Sequence, residues 1–169
     1  MAITLWRRLL AVSMVGAGLL AAGSAHADAV KSRWQHLDPF VFGEGSQEVV
    51  IFTAPSCPFC RQLVDHLPAL AEDYRVVVLP ISFISHDAQR IRLMACAEDA
   101  EAAARAYLLH QDVMLPQKDN CDLSGVKARF EEAKSQGVSM VPFIIRPDGQ
   151  ISRGLRPDLL DWLAQGTKR

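Results

Sequence analysis

Val49-Val50-Ile51-Phe52-Thr53-Ala54-Pro55-Ser56-Cys57-Pro58-Phe59-Cys60-Arg61-Gln62-Leu63-Val64 is the stretch on which the reading of this chain turns. Residues 48–54 carry no charge after Glu48 and are rich in β-branched side chains, the pattern of a buried strand. From Cys57 the pattern becomes helical, so Cys57 stands at or near a helix start directly after a strand. A sulfur in that place faces unpaired backbone N–H groups and the positive end of the helix dipole, which favours its thiolate. Cys60 follows about one turn later and can close a small disulfide ring with Cys57. Two thiols so placed can pass a disulfide to another protein or take one from it. The same spacing also serves zinc, which calls for a second close pair or histidines at ligand spacing. Cys96 and Cys121 are far apart and His66, His86 and His110 are isolated, so no metal is expected. A purely structural Cys57–Cys60 bond is a further reading, weakened because so small a ring removes little unfolded-state entropy.

Downstream, a helix over about 57–73 contains Pro68, which is expected to kink or split it. Residues 75–83 read as a second central strand, with Pro80 marking a strand end, an edge or a bulge. Ser85 and Asp87 are candidate N-caps for one long Ala-rich helix over about 88–110. A break at 111–120 leads to Cys121, and Ser124 is placed to cap a helix ending near Gln136 with Gly137 as its stop. Phe143-Ile144-Ile145 is a third strand, Pro147-Asp148-Gly149 a turn, and Ile151 opens a candidate fourth strand. Pro157 fits the first position of a last helix with Leu159, Leu160, Trp162 and Leu163 on its apolar face. Upstream, residues 28–47 read as a lead-in, with Val30, Trp34 and Leu37 in a short amphipathic turn and Phe40-Val41-Phe42 as a short first strand. Strands and helices alternate, which makes the chain α/β with a mixed central sheet flanked by helices.

A chain of 169 residues, 50% apolar and 22% charged, forms one core and leaves little for a second domain. The net charge of -1 and the absence of any Lys or Arg run disfavour nucleic acid and anionic membranes as partners. Arg7-Arg8, the uncharged run 9–22 and Gly23-Ser24-Ala25-His26-Ala27 read as a secretory signal peptide, residues 1–27, cleaved after Ala27. The run is shorter than the roughly 20 residues of a spanning helix, so no membrane span is expected after cleavage. All four cysteines then lie in the exported part, in a compartment where disulfides persist.

A second signal is Val141-Pro142, between Gly137-Val138-Ser139-Met140 and the strand at Phe143. A proline there suits a cis peptide bond and equally an ordinary trans proline closing a loop. Cys57-Pro58-Phe59-Cys60 after a strand, with Val141-Pro142 before a strand and a terminal helix, resembles the thioredoxin fold. Met94-Ala95-Cys96-Ala97-Glu98-Asp99 and Asn120-Cys121-Asp122, flanking a helical insertion, narrow this. They are similar to the catalytic domain of periplasmic disulfide isomerases of the DsbC/DsbG type, a likeness covering about residues 40–165.

The resemblance implies a catalytic domain over 48–169, its first strand at 40–42, with Cys57 as exposed nucleophile and Cys60 as buried resolving thiol. It makes Val141-Pro142 a cis-proline loop that receives substrate, and Cys96–Cys121 a structural disulfide contributing roughly 3–4 kcal/mol. A rival view makes Cys96 and Cys121 a second redox pair. The implied activity is disulfide isomerase or reductase in the periplasm, without a cofactor, acting on exported clients and served by a redox partner protein. A dithiol oxidase and a non-catalytic binding or chaperone module are the alternatives.

Three features depart from that family. Only about twenty residues separate Ala27 from the catalytic domain, where those isomerases carry a dimerisation domain, so a monomer is expected. Pro58-Phe59, between the cysteines where the potential is tuned, is closer to the pair found in glutaredoxins. Val141 precedes the proline in place of threonine, as in the oxidase branch. In addition, thioredoxins place an acid six residues before the nucleophile, and here that residue is Ile51; Glu48 is the nearest alternative and reads as a solvated strand-end residue.

Overall fold

In a computed structural model, which describes residues 32–82, 85–108, 111 and 113–167, two buried strands lie at the centre of the sheet. β2 (Glu48–Thr53) and β3 (Arg75–Pro80) pair in parallel, Val49 beside Val76 and Ile51 beside Val78. Every residue after the first is buried in both, as befits strands covered on two faces. β1 (Phe40–Phe42) joins β3, β4 (Phe143–Ile145) joins β2, and β5 (Ile151–Arg153) joins β4, all antiparallel, in the order β1-β3-β2-β4-β5. The result is the mixed α/β sheet expected from the alternation of strands and helices. The described residues belong to one compact unit, Lys31–Arg169. The signal-peptide assignment at 1–27 lies outside the described residues, as do Phe83 and His110.

Side chains two apart share a sheet face. Val49, Ile51, Val76, Val78 and Ile144 meet α1 (Pro58–Val64), α2 (Leu67–Asp73), α3 (Ser85–Ala95) and α4 (Ala100–Leu108) through Leu63, Leu70, Met94 and Tyr107. Val50, Phe52, Val77, Leu79, Phe143 and Ile145 meet Trp34, Leu37 and Ala133, the last on α5 (Ser124–Ser135). α6 (Leu159–Gln165) returns to the first face with Leu159, Trp162 and Leu163, whereas Leu160 is exposed. No helix among the described residues is long and apolar enough to cross a membrane.

Several boundaries differ from those read off the sequence. The helix expected over 57–73 is split, and the break precedes Pro68, which sits in the first turn of α2 where its missing N–H leaves nothing unpaired. β3 ends at Pro80, so the interruption there is a strand end. The long helix expected over 88–110 is two helices. The chain turns after Ala95 because Cys96 is bonded to Cys121, Ala97 bridges Gln117, Glu98 N–H donates to Pro116 O at 2.9 Å, and Lys118 N–H donates to Cys96 O at 2.8 Å. Asp99 then starts α4, its carboxylate accepting from Ala102 N–H at 2.9 Å. α3 begins at Ser85, so Asp87 lies in its first turn and does not cap it. Asp122, not Ser124, supplies the side chain at the start of α5, accepting from the Ser124 N–H at 2.8 Å and hydroxyl at 2.7 Å. α6 starts at Leu159, two residues beyond Pro157.

Two arginines tie the ends of the unit down. Arg129 on α5 is buried, and its guanidinium donates to the carbonyls of Leu37, Asp38 and Pro80, fastening the lead-in to the sheet. Arg146 makes a two-pronged pair with Asp148, at 2.9 and 2.7 Å, and donates to Trp162 O at 2.6 Å, so the β4–β5 turn is locked to α6. Gly43 adopts φ +76° against α2, where a Cβ would collide with the carbonyl oxygens of Ala71 and Tyr74.

Candidate active site

β2 ends at Thr53, and Ala54-Pro55-Ser56 carry the chain up to Cys57, the N-cap of α1. Pro58 holds the first helical position, where a missing N–H costs nothing and its fixed φ suits the helix. In this place the Cys57 sulfur takes the role of a capping side chain, accepting from the Cys60 N–H at 3.2 Å. The Cys57 thiol in turn donates to the carbonyl of Val141 at 3.5 Å. Val141–Pro142 is a cis peptide bond, and the loop carrying it leads directly into β4, the neighbour of β2. Sheet order therefore brings together two motifs 84 residues apart. Cys57 is half-buried, and Phe59 within the first motif and Met140 beside the second are 57% and 49% exposed.

Cys60 faces inward and is 4% exposed. Burial pushes its thiol up to about 12, and the hydrogen bond with Cys57 pushes the same way; hydrogen bonds with the Thr53 hydroxyl and the Ala54 backbone pull it back in part. Below it lies a void of about 10 Å³, at the limit of room for one water, lined by Ile51, Thr53, Cys60, Leu67, Val78 and Tyr107 among others. Tyr107 on α4 donates its hydroxyl to Thr53 Oγ1 at 3.4 Å. Ile51 is fully buried in the apolar core, and Glu48 stands at the opposite end of β2, paired with Arg75 at 3.7 Å. Neither residue supplies an acid to Cys60.

The sequence reading assigns no site role to Thr53, Tyr107 and Ser56, and expects Asp87 only as a helix cap. Asp87 is 1% exposed and accepts from the Ser56 hydroxyl at 2.8 Å, which fixes the residue preceding Cys57 to α3. Thr53 could have been found, since it shares the face of Val49 and Ile51 and is the polar member of that alternation. Cys96 and Cys121 are disulfide-bonded at the α3–α4 junction. No group of three or more His, Cys, Asp or Glu side chains that could hold a metal occurs among the described residues.

A search of curated protein sequences finds no match. A thioredoxin-like domain profile matches residues 41–164. Solved structures sharing the fold include the disulfide interchange protein of Neisseria gonorrhoeae, 22% identical over 79% of this chain and 99% of that one, with a TM-score of 0.62. ScsC of Proteus mirabilis in a compact conformation is 18% identical over 80% of this chain and 77% of its own, with a TM-score of 0.63. A periplasmic thioredoxin-like protein of Salmonella enterica serovar Typhimurium is 17% identical over 83% and 94%, with a TM-score of 0.62. At these identities the likeness shows the fold alone.

Proposed function

The chain belongs to the thioredoxin-like domain family, and on that premise we propose that it carries out thiol–disulfide exchange with protein substrates through Cys57 and Cys60. The observation that carries this reading is the pairing of a half-buried Cys57, 3.5 Å from the carbonyl of the cis-proline loop, with a buried Cys60 whose N–H caps its sulfur. The Cys57 thiolate attacks a client disulfide; a Cys57–client bond forms and the other client sulfur leaves. A client thiol then resolves the mixed disulfide into a new pairing, or Cys60 attacks Cys57 and releases a reduced client.

Isomerase or reductase is the direction we favour. A resolving thiol that burial keeps protonated attacks slowly, which lengthens the life of the mixed disulfide and gives client thiols time to act. The apolar side chains of Phe59 and Met140 suit unfolded clients, and the backbone of the Val141 loop suits strand-like pairing with an extended segment. An oxidase is the second reading, because the Cys60 N–H on the Cys57 sulfur stabilises the reduced thiolate and so favours giving the disulfide away. We place the protein in the periplasm, as a monomer acting on exported clients and recharged by a redox partner protein. The leader pattern at 1–27 supports this compartment, as does the Cys96–Cys121 bond, which we assign a structural role.

The test equilibrates the protein lacking residues 1–27 with glutathione buffers and assays scrambled ribonuclease and insulin alongside. Reactivated ribonuclease with a dead Cys57→Ala variant is the expected result. Insulin precipitation alone indicates a reductase, and a strongly oxidising potential with neither activity indicates an oxidase. Full exchange by Cys57→Ala refutes the assignment.

A further inference from the structure

To resolve a mixed disulfide, Cys60 has to act as a thiolate inside an apolar pocket, and no carboxylate is found among the described residues lining the void beneath it. Two hydroxyls are found there instead. Thr53 and Tyr107 are both buried, come from β2 and α4, and stand in series, with Tyr107 Oη donating to Thr53 Oγ1 at 3.4 Å and Thr53 lining the void together with Cys60. With its own oxygen occupied by the Tyr107 proton, Thr53 has its hydrogen available to point at sulfur. Buried hydroxyl chains of this kind polarise one another, and a bond to an ionised acceptor is about twice as strong as one between neutral groups.

We propose that Tyr107 and Thr53 form a donor chain to the Cys60 thiolate that takes the place of a buried acid in the resolving step. The inference rests on the exchange reading. In that step Cys60 gives up its proton to solvent and attacks Cys57 Sγ; the Cys57–Cys60 bond forms and the Cys57–client bond breaks. The client sulfur leaves with the electron pair and takes up a proton, so the client disulfide ends as a dithiol and the protein dithiol as a disulfide. In this chain Thr53 is the direct donor to the Cys60 thiolate, and Tyr107 is a positioning residue that acts through it. The charged groups bearing on the chain are Asp87 on α3 and Arg129 on α5, which act on Tyr107 in opposite senses; Cys57 at the start of α1 is uncharged while bonded to the client. Tyr107 comes from the helical insertion, so that segment contributes to the redox site itself.

The experiment compares wild type with Thr53→Val, Thr53→Ser and Tyr107→Phe. Single-turnover reaction of each reduced protein with a peptide disulfide separates formation of the mixed disulfide from its resolution, across pH. Thr53→Val is expected to leave formation within about twofold, to slow resolution about tenfold and to raise the midpoint of its pH profile by about one unit. Tyr107→Phe shifts both in the same direction, slowing resolution about threefold and raising the midpoint by about half a unit. Thr53→Ser keeps the wild-type profile. Resolution rates and midpoints equal to wild type in Thr53→Val and Tyr107→Phe overturn the proposal. A parallel titration of Cys60 Cβ by NMR in a Cys57→Ala background needs no exchange. There, a Thr53→Val midpoint raised above its Thr53 parent supports the hydroxyl chain even if the exchange reading fails, and an unchanged midpoint overturns it.

Discussion

Replacing Cys96 by Ala and Cys121 by Ser removes a bond that closes a loop of sequence separation 25. Alanine suits the buried position and serine the half-exposed one. In the chain-entropy treatment, opening a loop of that size returns about 12 cal/mol/K to the unfolded chain, or about 3.5 kcal/mol at 25 °C. The folded state keeps its local ties: the Ala97–Gln117 bridge, the backbone bonds of Glu98 and Lys118, and the Gln117 amide donating to Leu93 O at 3.2 Å and Leu115 O at 2.9 Å. The loss therefore falls on the unfolded side, and Tm drops by about 10 °C for a domain of this size. Urea unfolding followed by circular dichroism, with Cys57 and Cys60 reduced in both proteins, measures it. Exchange activity at 25 °C is expected to persist, since α4 still carries Tyr107 against Thr53. A loss below about 1 kcal/mol refutes the structural role. Lost exchange with stability nearly unchanged makes Cys96–Cys121 a second redox pair instead.

Two further outcomes follow from the fold. The Arg146 guanidinium holds the Asp148 carboxyl down to about 2, so the stability it contributes is fully present above the ordinary carboxylate range and is lost as pH falls from about 4 towards 2. Asp148→Asn is expected to lower Tm by a constant amount at pH 5–7, with the gap to wild type closing in that acid window; a gap that persists at pH 2 contradicts the pairing. Gly43→Ala, strained by its positive φ and blocked by backbone on α2, is expected to cost at least about 2 kcal/mol in urea unfolding. Gly149→Ala, at φ +87° but with open space around the added carbon, serves as the comparison at about 1 kcal/mol. Equal losses at the two positions would deny the crowding at Gly43.

The sheet and the cysteine motif were legible because their signals are local. A six-residue strand with four β-branched side chains, a Cys-x-x-Cys at a strand-to-helix junction and Pro147-Asp148-Gly149 each encode their own backbone. The break after Ala95 was not, because residues 88–108 contain neither Gly nor Pro; a disulfide and a bridge from residues 117–121 turn the chain there. The absence of an acid at Ile51 was visible, but the groups that occupy the space were not. Thr53 and Tyr107 are 54 residues apart, and only the packing of α4 over β2 brings their hydroxyls together. Likewise nothing in its own neighbourhood marks Arg129 as internal, since its three acceptors are main-chain oxygens on distant segments.

That arginine sets an order of closures. The carbonyls of Leu37 and Asp38 precede the guanidinium that binds them by 92 and 91 residues. β1 and β3 close a much shorter loop, so the edge of the sheet can form while the turn leading into it is still solvated. Long-range closures of this kind are the slow, topology-limited part of folding. Residues 37–38, near the start of the described unit, are then among the last to be fastened.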